Sequence, residues 1–107
     1  MYQTLNLETT DGIAHLSLSR GKEFNTMNRA FWTEMVEAFG EIDRDQSARV
    51  VVLSATGKHF TSGLDLNEFG GGLTGSEGEA SRFAERLRRI VLDMQESMSV
   101  VDRCRLP

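Results

Sequence analysis

The sequence is sparing with several residue types. Its 107 residues include one cysteine, one proline, one tryptophan and one tyrosine. A single cysteine, Cys104, cannot form an internal disulfide, which suits a reducing compartment. No apolar run approaches the roughly 20 residues that a membrane-spanning helix needs. Residues Met1 to Thr10 have neither a basic leader followed by an apolar stretch nor an Arg-rich amphipathic leader, so no targeting segment shows. The expected location is therefore cytoplasmic, as in a bacterial-type protein, with mitochondrial or peroxisomal placement left open. Basic residues are in the minority: 12 Lys and Arg stand against 16 Asp and Glu, for a net charge of -4. That balance argues against a phosphate-backbone binder, which needs a basic face. No metal-ligand cluster is visible, because His15 and His59 are far apart and lie on different expected elements.

What remains is the composition of an ordinary soluble globular segment, with 39% hydrophobic and 26% charged residues. Tyr2 to Glu8 alternates with period 2 and predicts a strand. Asp11-Gly12 follows, a hairpin signal because both residues tolerate positive φ. Ile13 to Ser19 is the expected return strand, with Ala14, Leu16 and Leu18 on one face. Arg20 to Thr26 reads as a polar loop, and Asn25 or Asn28 can cap the helix that comes next. Phe31, Met35, Phe39 and Ile42 recur at helical spacing, with Trp32, Val36 and Ala38 widening the stripe, and predict a helix over 28–45. Arg49 to Ser54, centred on Val50-Val51-Val52-Leu53, has the β-branched character of a parallel strand buried on both faces. Leu64 to Phe69 predicts a short helix. The glycines of 70–78 break regular structure and predict a mobile loop. Ser76 and Glu79 have capping-box form ahead of a long helix, Glu79 to about Arg103, whose stripe is Phe83, Leu87, Ile90, Val91, Met94 and Val101. Two amphipathic helices and three expected strands need more covering surface than they offer one another. The chain therefore reads as part of a larger α/β protein.

One segment stands out for chemistry: Gly57-Lys58-His59-Phe60-Thr61-Ser62-Gly63-Leu64-Asp65-Leu66. It follows a strand, and ligands of open α/β sheets bind at the carboxyl ends of strands. Glycine lets backbone approach a ligand, and such a turn can aim one N–H at a developing oxyanion. The same residues also make an ordinary strand-to-helix turn with Asp65 as its cap.

This segment resembles the first oxyanion-hole turn of the crotonase superfamily, the enoyl-CoA hydratases and isomerases. Leu18-Ser19-Arg20 and Asn25-Thr26-Met27-Asn28 are similar to a second stretch of that superfamily, with Ser19 in place of the usual Asn and Gly21 in place of the usual Pro. Met27 to Met35, the Phe60 to Leu66 turn, Gln95-Glu96 and Asp102-Arg103-Cys104 resemble the Δ3,5-Δ2,4-dienoyl-CoA isomerase branch. The resemblance covers essentially the whole chain.

It implies a crotonase-like spiral of ββα units. This chain would be the amino-terminal portion, with an antiparallel hairpin, a buried parallel strand and two long amphipathic helices. It implies an acyl-CoA thioester substrate and no separate cofactor, since coenzyme A enters with the substrate. It places the first oxyanion donor on the Leu64 N–H, with Met27, Ser62, Gly63, Asp65 and Leu66 lining the coenzyme A pocket. Asp65 is read as a turn or cap residue rather than a base. The second donor and the acid/base carboxylates would lie beyond Pro107, and Glu68, Glu77 and Glu79 do not match the catalytic positions. The implied assembly is a homotrimer or hexamer, with a second chain as one source of the missing half. The other reading is a non-catalytic truncated relative serving as a binding or assembly module. RNA binding through Arg82, Arg86, Arg88 and Arg89 is disfavoured, because Glu77, Glu79, Glu85 and Asp93 offset them.

Overall fold

A computed structural model describes residues 1–68 and 80–107. The expected mobile loop at 70–78 and the Ser76/Glu79 capping box lie outside the described residues. The elements run β1 (Leu5–Thr10), β2 (Ile13–Leu18), α1 (Arg29–Arg44), β3 (Val50–Ala55) and α2 (Ala80–Arg103), with 3-10 turns at Gly21–Glu23 and Leu66–Glu68. They build a three-stranded sheet in the order β1-β2-β3.

The hairpin forms where Asp11-Gly12 predicts it. Asp11 has φ 54 and Gly12 φ 82, the paired positive values of a primed two-residue turn. Pairing runs from Leu5↔Leu18 to Thr10↔Ile13. The first strand thus lies later than the expected Tyr2 to Glu8. The backbone N–H groups of Gln3 and Thr4 leave the sheet direction and donate to the carboxylate of Glu34, at 2.9 and 2.8 Å. Beyond the turn, the Gly12 carbonyl accepts from Arg49 N at 2.7 Å and so seats the start of β3 beside β2.

β2 and β3 pair in parallel, from Ile13↔Val50 to Leu18↔Ala55. A parallel pair needs a crossover, and α1 supplies it. Asn28 caps α1, its Oδ1 accepting from Phe31 N at 2.9 Å, which settles the choice between the two candidate caps. Phe31, Trp32, Met35, Ala38, Phe39 and Ile42 face Leu5, Ala14, Leu16 and Leu18, and all ten are buried. Val36, expected in the stripe, is exposed. At the far end of α1, Arg105 donates to the carbonyls of Asp43 and Asp45 at 3.2 and 3.0 Å. A cation there satisfies orphan carbonyls and complements the helix dipole.

Two expectations about packing change. β3 is half-buried rather than buried on both faces, with Val52 44% exposed. Among the described residues β2 is its neighbour in the sheet, and Val52 stands exposed between the half-buried Val50 and Ser54. In α2, Ile90 and Met94 pack against the core, while Val91 and Val101 are exposed. Of the short helix expected at 64–69, the described residues 64–68 hold the 3-10 turn Leu66–Glu68, with Leu64 drawn into a bridge with Met27, and Phe69 lies outside them. On α2, Glu85 pairs with Arg89 at 3.1 Å and with Arg88 at 4.0 Å, the helical spacing expected of a solvated face.

Glu34 is the polar residue on the buried side of α1. Its Oε1 accepts from Thr4 N and from the Thr4 hydroxyl at 2.6 Å, and its Oε2 accepts from Gln3 N. Removing the carboxylate strands these donors. Glu34→Ala should destabilise the chain by about 2–4 kcal/mol. Glu34→Gln retains the Oε1 contacts and should lose less. Urea denaturation followed by Trp32 fluorescence measures both, and equal stability of Glu34→Ala and the parent would contradict this role.

Candidate active site

Because β2 and β3 run parallel, their carboxyl ends lie side by side, with Leu18 opposite Ala55. Two loops leave from that edge: 19–28 after β2 and 56–65 after β3. Neither has a regular ladder of its own, yet they are tied together throughout. Thr56 donates its N–H and its hydroxyl to the Leu18 carbonyl, at 2.9 and 3.1 Å. Next, Gly21 and Gly57 bring backbone against backbone. A Cβ on Gly57 would sit 2.9 Å from Gly21 Cα, and Gly57 itself has φ +79. Both conditions require glycine there.

Asn25 is the centre of the arrangement. It is 2% exposed and has φ 52, a left-handed conformation that asparagine tolerates better than most residues. Its amide nitrogen donates to the carbonyls of Thr56 at 2.7 Å and His59 at 2.9 Å. Its Oδ1 accepts from Arg20 N at 2.9 Å. Its own carbonyl accepts from the Thr61 hydroxyl at 2.6 Å. One side chain therefore closes its own loop and clasps the other. Phe24, also left-handed at φ 57, places its ring 5.8 Å from that of His59.

Further along, the two loops form a short parallel ladder. Ser62 N donates to Phe24 O at 3.0 Å, Met27 N to Gly63 O at 2.8 Å, and Asp65 N to Met27 O at 2.9 Å. Met27 and Leu64 are paired residues in this ladder. The bonds on the Met27 side use the Gly63 carbonyl and the Asp65 N–H. The N–H of Leu64 itself has no hydrogen-bond partner among the described residues. Gly63 has φ +96 with open space where a Cβ would be, so its glycine is required by conformation alone.

Arg20 and Asp65 fix the flanks. Arg20 donates from one guanidinium nitrogen to Thr26 O at 2.9 Å and from the other to Asp65 Oδ2 at 3.3 Å. The remaining Asp65 oxygen, Oδ1, accepts from Asn67 N at 3.0 Å and begins the 3-10 turn. Both carboxylate oxygens are thus engaged, an arrangement suited to a turn residue rather than a free base.

The residues singled out from sequence, Met27, Ser62, Gly63, Leu64, Asp65 and Leu66, all fall on this ladder or at its end. Ser62, Leu64 and Leu66 are exposed, while Met27 and Asp65 are half-buried. Sequence reasoning missed Asn25 as a staple, naming it only as an alternative cap, and it missed Arg20 and Thr61. The signal for Asn25 was its position in the quoted Asn25-Thr26-Met27-Asn28 stretch. Lys22 and Lys58 line an open groove together with Ser19, Phe24, Gly21 and Gly57.

A parallel βαβ unit thus delivers two loops to one edge, and one of them carries an N–H with no partner among the described residues. Comparison with known proteins identifies the family. The enoyl-CoA hydratase/isomerase family model matches residues 8–101, and the chain belongs to that family. It is 41% identical over 96 residues to the mitochondrial Delta(3,5)-Delta(2,4)-dienoyl-CoA isomerase of Mus musculus, covering 89% of this chain and 29% of that protein. The human mitochondrial counterpart is 37% identical, over 99% of this chain and 33% of its own length. The Arabidopsis thaliana peroxisomal protein of the same name is 32% identical, over 99% and 40%. The chain therefore spans roughly a third of the length of these relatives. Among solved structures, enoyl-CoA hydratase from Bacillus anthracis superposes with TM-score 0.80 at 26% identity, over 98% of this chain and 38% of that one. The Mycobacterium smegmatis enoyl-CoA hydratase gives 0.77 at 31% identity, over 98% and 38%.

Four substitutions test the clasp. Asn25→Gly relieves the left-handed backbone but deletes the amide, and should destabilise by about 2 kcal/mol. Asn25→Asp turns a carboxylate oxygen toward two carbonyls and should cost more, about 3 kcal/mol. Gly57→Ala should exceed Gly63→Ala, because only the former adds a backbone clash to the roughly 1–2 kcal/mol of a left-handed alanine. Urea midpoints rank all four variants. An Asn25→Asp midpoint equal to the parent's would remove Asn25 from the centre of the site.

Proposed function

We propose that this chain supplies one half of an acyl-CoA isomerase site, with the Leu64 N–H as the first oxyanion donor and dienoyl-CoA isomerisation as its reaction. The observation that carries this reading is the Leu64 N–H, which has no partner among the described residues while both neighbouring residues are held. A donor fixed in advance needs no reorganisation when charge develops, and that is where its effect on rate arises. The relatives named as dienoyl-CoA isomerases support the choice of substrate class.

In this reading the acyl-CoA thioester lies along the ladder, against Met27, Ser62, Gly63, Asp65 and Leu66. A base removes a proton from the acyl chain. The electron pair delocalises into the thioester carbonyl, and the oxygen gains negative charge opposite the Leu64 N–H. Reprotonation further along the chain completes the shift of the double bonds. The base, its conjugate acid and the second donor come from residues outside this chain, either in a longer polypeptide or in a partner. The chain alone binds but does not turn over, and the assembled protein is a trimer or hexamer.

Titration of the 15N-labelled chain with an enoyl-CoA and with free coenzyme A tests this. The Leu64 amide should move downfield with the thioester and not with the free thiol. Coenzyme A binding without a thioester-specific response at Leu64 would support a non-catalytic binding module instead. In a protein containing the complete site, Leu64→Ala should keep near-parental activity. Replacing the Leu64 amide by an ester should lower kcat about 10²–10³-fold.

A further inference from the structure

The Arg20 guanidinium lies across the two loops. Its two terminal nitrogens reach opposite strands of the short ladder. One holds the carbonyl of Thr26, the residue just before Met27, at 2.9 Å. The other holds the carboxylate of Asp65, the residue just after Leu64, at 3.3 Å. Met27 and Leu64 are the paired residues between those anchors. The pair is largely shielded, with side-chain exposures of 20% and 16%, so it is screened less than a surface ion pair. The backbone of Arg20 is fixed as well, its N–H to Asn25 Oδ1 and its carbonyl to Asn25 N at 2.8 Å.

From this geometry we propose that Arg20 is a positioning residue for the Leu64 N–H. By gripping both flanks of the Met27–Leu64 pair it sets the spacing and twist of the ladder, and so the direction in which the Leu64 N–H points. The inference rests on the reading of Leu64 as the oxyanion donor. A planar, forked cation is needed, because the two acceptors are a carbonyl and a carboxylate on different strands. A lysine ammonium is a point charge on a flexible stem and cannot span both in a fixed geometry. Asp65 acts in the same device as the second anchor, and its Oδ1 contact to Asn67 N is a separate function of the turn.

The test uses the 107-residue chain, 15N-labelled, with crotonyl-CoA and free coenzyme A as probes. In the parent, crotonyl-CoA shifts the Leu64 amide and free coenzyme A does not. In Arg20→Lys the thioester-specific shift at Leu64 should fall to less than about half, because hydrogen bonds weaken steeply with misalignment. Affinity for free coenzyme A and the core amides of Leu16 and Trp32 should be unchanged. Asp65→Asn keeps the Asn67 contact and removes the anion, and should reproduce the loss. It carries the test if Arg20→Lys does not retain the core signals. An undiminished Leu64 response in the folded variant overturns the positioning role while leaving the oxyanion reading intact. A parent chain with no thioester-specific response at Leu64 overturns the oxyanion reading, and the positioning role with it.

Discussion

The side-chain amide of Asn25 is the interaction on which the candidate site depends. Two loops with no ladder of their own meet around it. Its nitrogen takes two carbonyls of the turn after β3, and its oxygen takes the N–H at the start of the loop after β2. Buried polar groups must be paired, and here one side chain pairs three backbone groups at once. The left-handed backbone that brings it inward would strain most residues. Asparagine tolerates it, which explains why this position holds an amide rather than a hydroxyl or an apolar group.

Everything below Asn25 serves to bring the loops within its reach. The Asp11-Gly12 hairpin fixes the register of β2, and the Gly12 carbonyl starts β3 in line with it. The apolar face of α1 closes the crossover over Leu16 and Ala14, both fully buried. Glu34 ties the amino-terminal backbone to α1 and ends the sheet at Leu5. Parallel pairing then delivers Leu18 and Ala55 to the same edge, where ligands of such sheets bind. Above Asn25 the Met27–Leu64 pair and the Arg20–Asp65 contact extend the order outward, and the Leu64 N–H is left facing away from its own partner strand.

Local features were legible in the sequence and non-local ones were not. Asp11-Gly12, the α1 stripe and the Val50 to Leu53 run each declare their element within a few residues, and each forms. The bounds of β1 were not legible, because they are set by Glu34, some 30 residues away. Glu34 lies three residues after Phe31 and four before Ala38, so helical geometry put it inward, but nothing local named its partners. Half-burial of β3 depends on what covers the sheet, a property of the whole fold. The ladder residues Ser62 to Leu66 were found through resemblance. The contacts that hold them were not, since Asn25 reaches His59 across 34 residues and Arg20 reaches Asp65 across 45. Asn25 next to Asn28 looks like one of two caps until the tertiary structure assigns Asn28 to the helix and Asn25 to the loops.

The central claim is that loops 19–28 and 56–65 form one cooperative unit clasped by Asn25. Native-state amide hydrogen exchange on the 107-residue chain tests it most directly. The N–H groups of Asn25, Met27, Ser62 and Asp65 should be protected and should share one opening free energy, with the Leu64 N–H exchanging much faster between them. If Ser62 and Asp65 exchanged at unprotected rates while Asn25 remained protected, the two loops would be independent and the account would fail.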